Sequence, residues 1–429
     1  MNVGRVAALV AVPALLGAAA GGAEEKKAAA PAPRRIEFST ASAEAKAQAM
    51  ETIRRVETFQ GGAKGIESAT KAVEADPQFA FGHYLIAVNS PQAQAKPHFD
   101  KAAELAPRAS EAERRYMEAH ALNRAQKGAE ALEAFKKLAA DYPGDRMVQM
   151  MIGQIATGEG RLDEAKAAYL KALAMDGTTP RVHAFLGNVL SLRTDYAGAR
   201  EHFKHALERK AEGTAPGAIH FGHALTYVYE GKVDDALSAL RTFADEYRRT
   251  GGQAGLPEVF IWNAIGRINL ENGRLPEAMA AYEKGFESVP GSSISERDKK
   301  LWTGRLHHGR GRTLARMGKH AEARKEAETL KKMIDEAGED GKDFVPAYHY
   351  LAGYIELEAG NAKGAVEHLK QADQSDPFHL LLLGRAYEKL GDKQEARATY
   401  EKVVAVRQQG LDRALSYPEA KKTLAALTN

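Results

Sequence analysis

With 60 Lys and Arg against 57 Asp and Glu in 429 residues, the chain is nearly neutral at +3 and has no global electrostatic drive toward nucleic acid or an anionic membrane. It contains no cysteine, which excludes disulfides, zinc-thiolate sites, thiol catalysis and a lipid carried on an N-terminal cysteine. Aromatics at 7% and charged residues at 27% suit a protein made of many alanine-rich helices rather than one large apolar core.

Residues 1–23 read as a signal peptide. Arg5 supplies the positive charge, residues 6–20 are apolar and small, and Gly21-Gly22-Ala23 forms a small-residue cleavage site, so the mature chain is expected to start at Glu24. The alternative is an uncleaved anchor, but the apolar run is short for a span and is interrupted by Pro13 and Gly17. Residues 24–41 read as a disordered Ala/Pro linker, with order expected from Ser42.

A degenerate helical unit follows, with Ile66, Ala69, Ala72 and Val73 on one face and a partner helix around residues 45–58. A small pattern then recurs down the chain: an alanine, a bulky residue four positions on, a small or aliphatic one, often a proline. It is seen in Ala131/Phe135/Leu138/Pro143, Ala165/Tyr169/Ala172, Ala278/Tyr282/Phe286/Pro290 and Ala396/Tyr400/Val403. From Ala95 to Ala396 the leading alanines lie 36, 34, 34, 37, 42, 45, 42 and 31 residues apart, the period of a stacked-repeat array. Gly153, Gly187, Gly266, Gly311, Gly353 and Gly384 each stand twelve residues before their alanine. Glycine inside a helix costs ~1 kcal/mol, so its recurrence in register implies close approach of two helices. Turn signals separate the helices of each pair, among them Gly158-Glu159-Gly160, Thr194-Asp195 and Asn272-Gly273. The long spacings place extra residues in 248–256, 291–296 and 337–343. Pro97 is expected to start its helix as an N1 proline.

These residues resemble the tetratricopeptide repeat, whose pattern is W-x2-L-G-x2-Y followed by A-x3-F/Y, then A and P. Trp262-Asn263-Ala264-Ile265-Gly266 with Ala278, Tyr282 and Pro290 matches it almost fully, and Leu383-Gly384 with Tyr387, Ala396 and Tyr400 nearly so. The resemblance implies an all-α, right-handed superhelical solenoid of stacked antiparallel helix pairs over residues 42–410, about nine or ten pairs. Residues 411–429 then form a C-terminal capping helix whose charges face water and close the stack.

No G-x-S-x-G, Walker A, H-E-x-x-H or G-x-G-x-x-G motif occurs, so no catalytic residue is assigned and the chain reads as a non-enzyme without cofactor. His202-x2-His205 and His220-x2-His223 have helical ligand spacing, but no metal is assigned. His183, His220, His307 and His349 fall at the repeat's tryptophan position and read as half-buried ring fillers, and His202 and His205 as solvated. The resemblance implies a concave binding face lined by the first helix of each repeat. Carried over repeat by repeat, it points to Tyr116, His120 and Asn123, then Met150 and Gln154, Asn188 and Ser191, Phe221 and Leu225. Asn263 and Arg267, His308 and Arg312, Tyr350 and Tyr354, and Arg385 continue the series. This mix of aromatic, amide and arginine is interface-like. With the signal segment, the resemblance implies an exported scaffold that holds a protein or peptide partner in its groove, in a bacterial envelope assembly. The alternative is an anionic ligand on the basic band 299–325, where nine Lys and Arg face one glutamate, Glu322.

Overall fold

The computed structural model describes residues 33–210, 213–252 and 257–428; the expected signal segment and residues 24–32 of the expected linker lie outside it. Among the described residues there are twenty-one α-helices and no strand. The first ten pair in chain order: α1 (Ala43–Glu57) with α2 (Gly62–Ala75), α3 (Ala80–Asn89) with α4 (Gln92–Leu105), α5 (Glu111–Arg124) with α6 (Gly128–Asp141), α7 (Arg146–Gly158) with α8 (Leu162–Met175), and α9 (Pro180–Leu192) with α10 (Tyr196–Arg209). The next ten are α11 (Gly217–Tyr229) with α12 (Val233–Arg249), α13 (Glu258–Glu271) with α14 (Leu275–Glu287), α15 (Glu296–Arg316) with α16 (His320–Glu336), α17 (Val345–Glu358) with α18 (Ala362–Leu369), and α19 (Pro377–Leu390) with α20 (Lys393–Ala405). A last helix, α21 (Leu411–Thr428), stands alone. Each pair packs on the next, which makes an α-solenoid.

The repeat residues do what their spacing demands. Ala131, Ala165, Ala199, Ala278 and Ala396 have no exposed surface, and Phe135, Tyr169, Phe203 and Tyr400 fill the space between paired helices. The register glycines admit those rings. A Cβ on Gly153 would stand 2.5 Å from the Tyr169 ring, and one on Gly384 2.5 Å from the Tyr400 ring, well inside van der Waals contact. Trp262 is buried, and its indole N–H donates to Glu258 at 2.9 Å. The turns take the left-handed conformation expected of them: Gly160, Gly273 and Gly391 have φ of 71°, 77° and 78°, and Thr194 takes the same role at 62°. Pro97 departs from expectation. It lies inside α4, and Pro91 precedes the helix and accepts from the amides of Gln94 and Ala95.

The ends of the chain depart further. Residues 34–40 belong to the folded body. Gly144 donates its amide to the Arg34 carbonyl at 3.0 Å, the Ile36 amide donates to Asp145 at 3.1 Å, and Phe38 stacks on Phe81 at 5.3 Å. The expected linker 24–41 is therefore a packed strap in its last part, because Ile36 and Phe38 supply apolar anchors and the extended backbone finds acceptors in Glu113 of α5 and in Asp145, the residue that caps α7. The end of α1 also reaches inward. Glu57 takes two hydrogen bonds from Arg146, at 2.8 and 2.5 Å, and Arg181 donates to the Val56 carbonyl at 3.1 Å. The expected capping helix, α21, does not simply close the stack either. It turns back along the inner side, against α11, α13 and α19 as well as α20.

Candidate pocket on the inner face

First helices of successive repeats pack side by side, and part of the face they share is covered by the chain itself, since α21 packs on α11, α13 and α19. Leu225 packs with Ala414 of α21, and Arg413 donates to the Tyr229 hydroxyl at 2.9 Å. Arg385 makes a two-pronged hydrogen bond to Glu419, at 2.6 and 2.5 Å. Met150, Ser191 and Tyr116 are buried, and His120 packs edge-on to Tyr84 at 5.4 Å. Burial, with the Arg124 charge nearby, lowers His120 to about 4. Phe221 stands edge-on to Phe243 and Phe260. Asn123, Gln154 and Asn188 are half-buried.

The residues expected to serve as hot spots form a buried ionic core instead of a free surface. Arg312, only 4% exposed, donates to the Tyr350 hydroxyl at 3.0 Å and to that of Tyr282 at 3.4 Å. Arg267 donates to Glu271 at 3.1 Å and faces Asp412 of α21 at 3.2 Å. Tyr354, 2% exposed, donates to the other oxygen of Glu271 at 3.5 Å. Arg316 also lies 3.8 Å from Glu271. One carboxylate thus serves three arginines and a tyrosine, and it was not singled out from sequence. Its place at the end of α13, on the inner side, is the only signal there was. Tyr354→Ala or Arg312→Ala would therefore damage packing and charge balance before any contact with a partner.

Beside this core a pocket of about 960 Å³ opens between α13, α15, α16, α17, α19 and the start of α21. Five of the residues expected at the groove line it: Asn263, Arg267, His308, Arg312 and Tyr350. Tyr350 lies between His308 and His379, with ring centroids 4.7 and 3.9 Å away. The oversized repeat builds this space. At 21 residues, α15 is half as long again as its counterparts, and a 3-10 turn, Gly338–Phe344, leads back from α16 to α17. The glycine at 341 lets that turn approach α16 closely, since a Cβ there would overlap the Ile334 carbonyl.

The basic band is not one surface. Lys299 pairs with Glu296, Arg310 with Glu283, Lys319 with Glu322 and Arg324 with Glu356, and Arg312 and Arg316 turn inward to Glu271. Charges counted within the band alone miss Glu296 one turn before it and the partners from neighbouring helices, Glu283 of α14 and Glu356 of α17. The histidines at the tryptophan position are ring fillers with specific partners. His183 Nδ1 lies 2.9 Å from His202 Nδ1, His349 lies 3.0 Å from His368, His307 meets Glu326 at 2.6 Å, and His220 stacks on Phe243. His202 and His205 are thus not solvated bystanders; both rings pack against His183. Among the described residues no group of three or more His, Asp or Glu is arranged to hold a metal ion.

Tetratricopeptide repeat profiles match residues 116–180, 150–214 and 221–293, and two further forms of the same repeat match 304–329 and 380–409. Curated proteins give no match. Among solved structures, a tetratricopeptide repeat protein from Parabacteroides merdae is 16% identical, covering 64% of this chain and 98% of its own, with a TM-score of 0.47. The C-terminal part of a repeat-containing protein from Cytophaga hutchinsonii is 15% identical, covering 60% and 93%, at 0.40. PilF of Pseudomonas aeruginosa is 22% identical, covering 52% and 95%, at 0.36. With ten helix pairs in register, glycines seated on the rings of the partner helix and repeat profiles matched from residue 116 to residue 409, the chain belongs to the tetratricopeptide repeat family.

Proposed function

We propose that the chain is an exported adaptor that binds a protein or peptide partner on the inner side of its stack, at and around the pocket between α13 and α19. The observation that carries this reading is the convergence there of Asn263, Arg267, His308, Arg312 and Tyr350 from three successive first helices. The exposed rim, with Arg297 and Lys300 on one wall and Asp340 and Asp343 on the other, offers charges of both signs for orienting a polar partner. Export, with maturation at Glu24, and work in a bacterial envelope assembly rest on the N-terminal sequence pattern. Among the described residues no helix is long and apolar enough to cross a membrane.

A photo-crosslinking residue at Lys300 or Asp343 tests the reading against one at the exposed Glu133 on α6. Crosslinks to a specific envelope protein are expected from the two rim positions and not from Glu133. Crosslinks from Glu133 alone would move the partner to the outer helices.

A further inference from the structure

The pocket has two unlike ends. At the polar end, Arg267 Nη2 and His308 Nε2 are buried and have no hydrogen-bond partner. Arg267 is 8% exposed, and Asp412 lies near it at 3.2 Å without the alignment of a hydrogen bond. Burial holds His308 well below the ordinary histidine range, and the charges of Arg312, Arg267, His379 and Arg305 push the same way. The imidazole is therefore neutral and sits in a positive local field. The carboxylates at this end are already engaged: Asp412 faces Arg267, Asp376 accepts from the Phe378 and His379 amides at 2.7 and 3.2 Å, and Asp373 accepts from the Ser375 amide and hydroxyl at 2.8 and 2.7 Å. On α15, Arg297, Lys300 and Arg305 line the pocket and form no ion pair among the described residues. Away from it the lining is apolar at Leu301, Leu330, Met333, Ile334, Phe344 and Pro346, with the exposed Glu336, Asp340 and Asp343 at the rim of the same wall.

We propose that this pocket binds a small amphipathic carboxylate, with its acid group at Arg267 and His308 and its hydrocarbon body against the apolar wall. A buried donor without an acceptor is costly. A carboxylate is acceptor-only and can take hydrogen bonds from Arg267 Nη2–H and, with the imidazole in its Nε2–H tautomer, from His308 as well, whereas a quaternary cation can serve neither. The volume is at the upper end of the ~300–1,000 Å³ that small-molecule sites occupy. The site shares Arg267 and His308 with the pocket of the proposed partner, but its test needs only the purified chain, so its failure and that of the partner reading are distinguishable.

Isothermal titration of the full chain with octanoate, decanoate and dodecanoate, below their micelle concentrations, tests the idea. Dodecyltrimethylammonium serves as the cationic control. Dodecanoate is expected to bind one to one, and affinity to rise by up to roughly fourfold per methylene, the gain that full burial of a CH₂ gives. The ammonium ion is expected not to bind. His308→Phe keeps an aromatic ring and removes both ring nitrogens, the buried, unpartnered Nε2 among them, so it should leave the thermal midpoint unchanged and weaken dodecanoate by about tenfold. Met333→Asp, on a half-buried position, should weaken dodecanoate and flatten the chain-length dependence. The proposal is overturned if the parent binds no alkanoate, if the ammonium binds equally well, or if both variants bind as the parent does. Tighter binding of a short acetylated peptide than of dodecanoate, lost on C-terminal amidation, would overturn it in favour of peptide recognition.

Discussion

The stretch from α5 to α10 and the stretch from α15 to α17 are built from the same repeat, and the described pocket lies in the second. In the first, spacings of 34 residues give helices of 13 or 14 residues. Tyr169 and Phe203 meet register glycines, and the N-terminal strap and the end of α1 pack on Asp145 and Arg146 at the start of α7. In the second, spacings of 45 and 42 residues go into a 21-residue α15, a 17-residue α16 and a 3-10 turn, and the surplus walls off a pocket instead of filling a groove. Regular repeats therefore make the frame, and a local excess of length makes the site.

The largest expected effect breaks the ionic core at the edge of the second stretch. Glu271→Ala strands Arg267, Arg312 and Arg316 without their shared carboxylate. Removing one partner from a buried pair costs ~3–5 kcal/mol. Because a stack transmits loss chiefly to neighbours, hydrogen exchange should accelerate in α13, α15 and α17 while α5 to α8 stay protected. Acceleration of the whole chain alike would show that the two stretches are not separable.

A pair of glycine changes sharpens the contrast. Gly153→Val drives a side chain into the Tyr169 ring and should destabilise by ~1–3 kcal/mol, as overpacking does. Gly304→Ala puts its Cβ 3.2 Å from the mobile Cδ1 of Leu330 on the pocket wall. There the helix propensity of alanine, ~1 kcal/mol over glycine, should offset the crowding and leave the urea midpoint unchanged or higher. A loss at Gly304 as large as that at Gly153 would mean that the second stretch is packed as tightly as the first.

The smallest effect is acid sensitivity of the first stretch. Burial lowers His120 and His202 from 6.5 to about 4, with Arg124 adding to the first and His183 and His205 to the second. Both are neutral in the folded chain at pH 7. The unfolded chain takes up their protons first, so stability is full above pH 6.5 and is lost as pH falls from 6.5 toward 4. Urea midpoints should drop across that window, and His202→Phe should shrink the drop. An unchanged drop in the variant would assign the acid response to other groups.

Much of the frame was legible because it repeats. Ala165, Tyr169 and Gly153 carry the same spacing as Ala396, Tyr400 and Gly384, and a pattern seen many times in register constrains packing even where single matches are weak. Five pocket residues were reached the same way, through their place on first helices. Glu271 was not, since its importance depends on three arginines from α13 and α15 converging on it. Nor was the burial of Arg312 and Tyr354, which follows from partners on α13, α14 and α17.

By itself the sequence determined the helix pairs, their order, the turns between them and the faces each pair buries, because these depend on contacts between residues less than about forty positions apart, within the span of one repeat. Only the tertiary structure decided where the two ends of the chain go. Ile36 meets Asp145, Glu57 meets Arg146 and Arg413 meets Tyr229 across 109, 89 and 184 residues. Such contacts depend on how the summed curvature of the stack brings distant repeats to one inner side, and no local period encodes that sum.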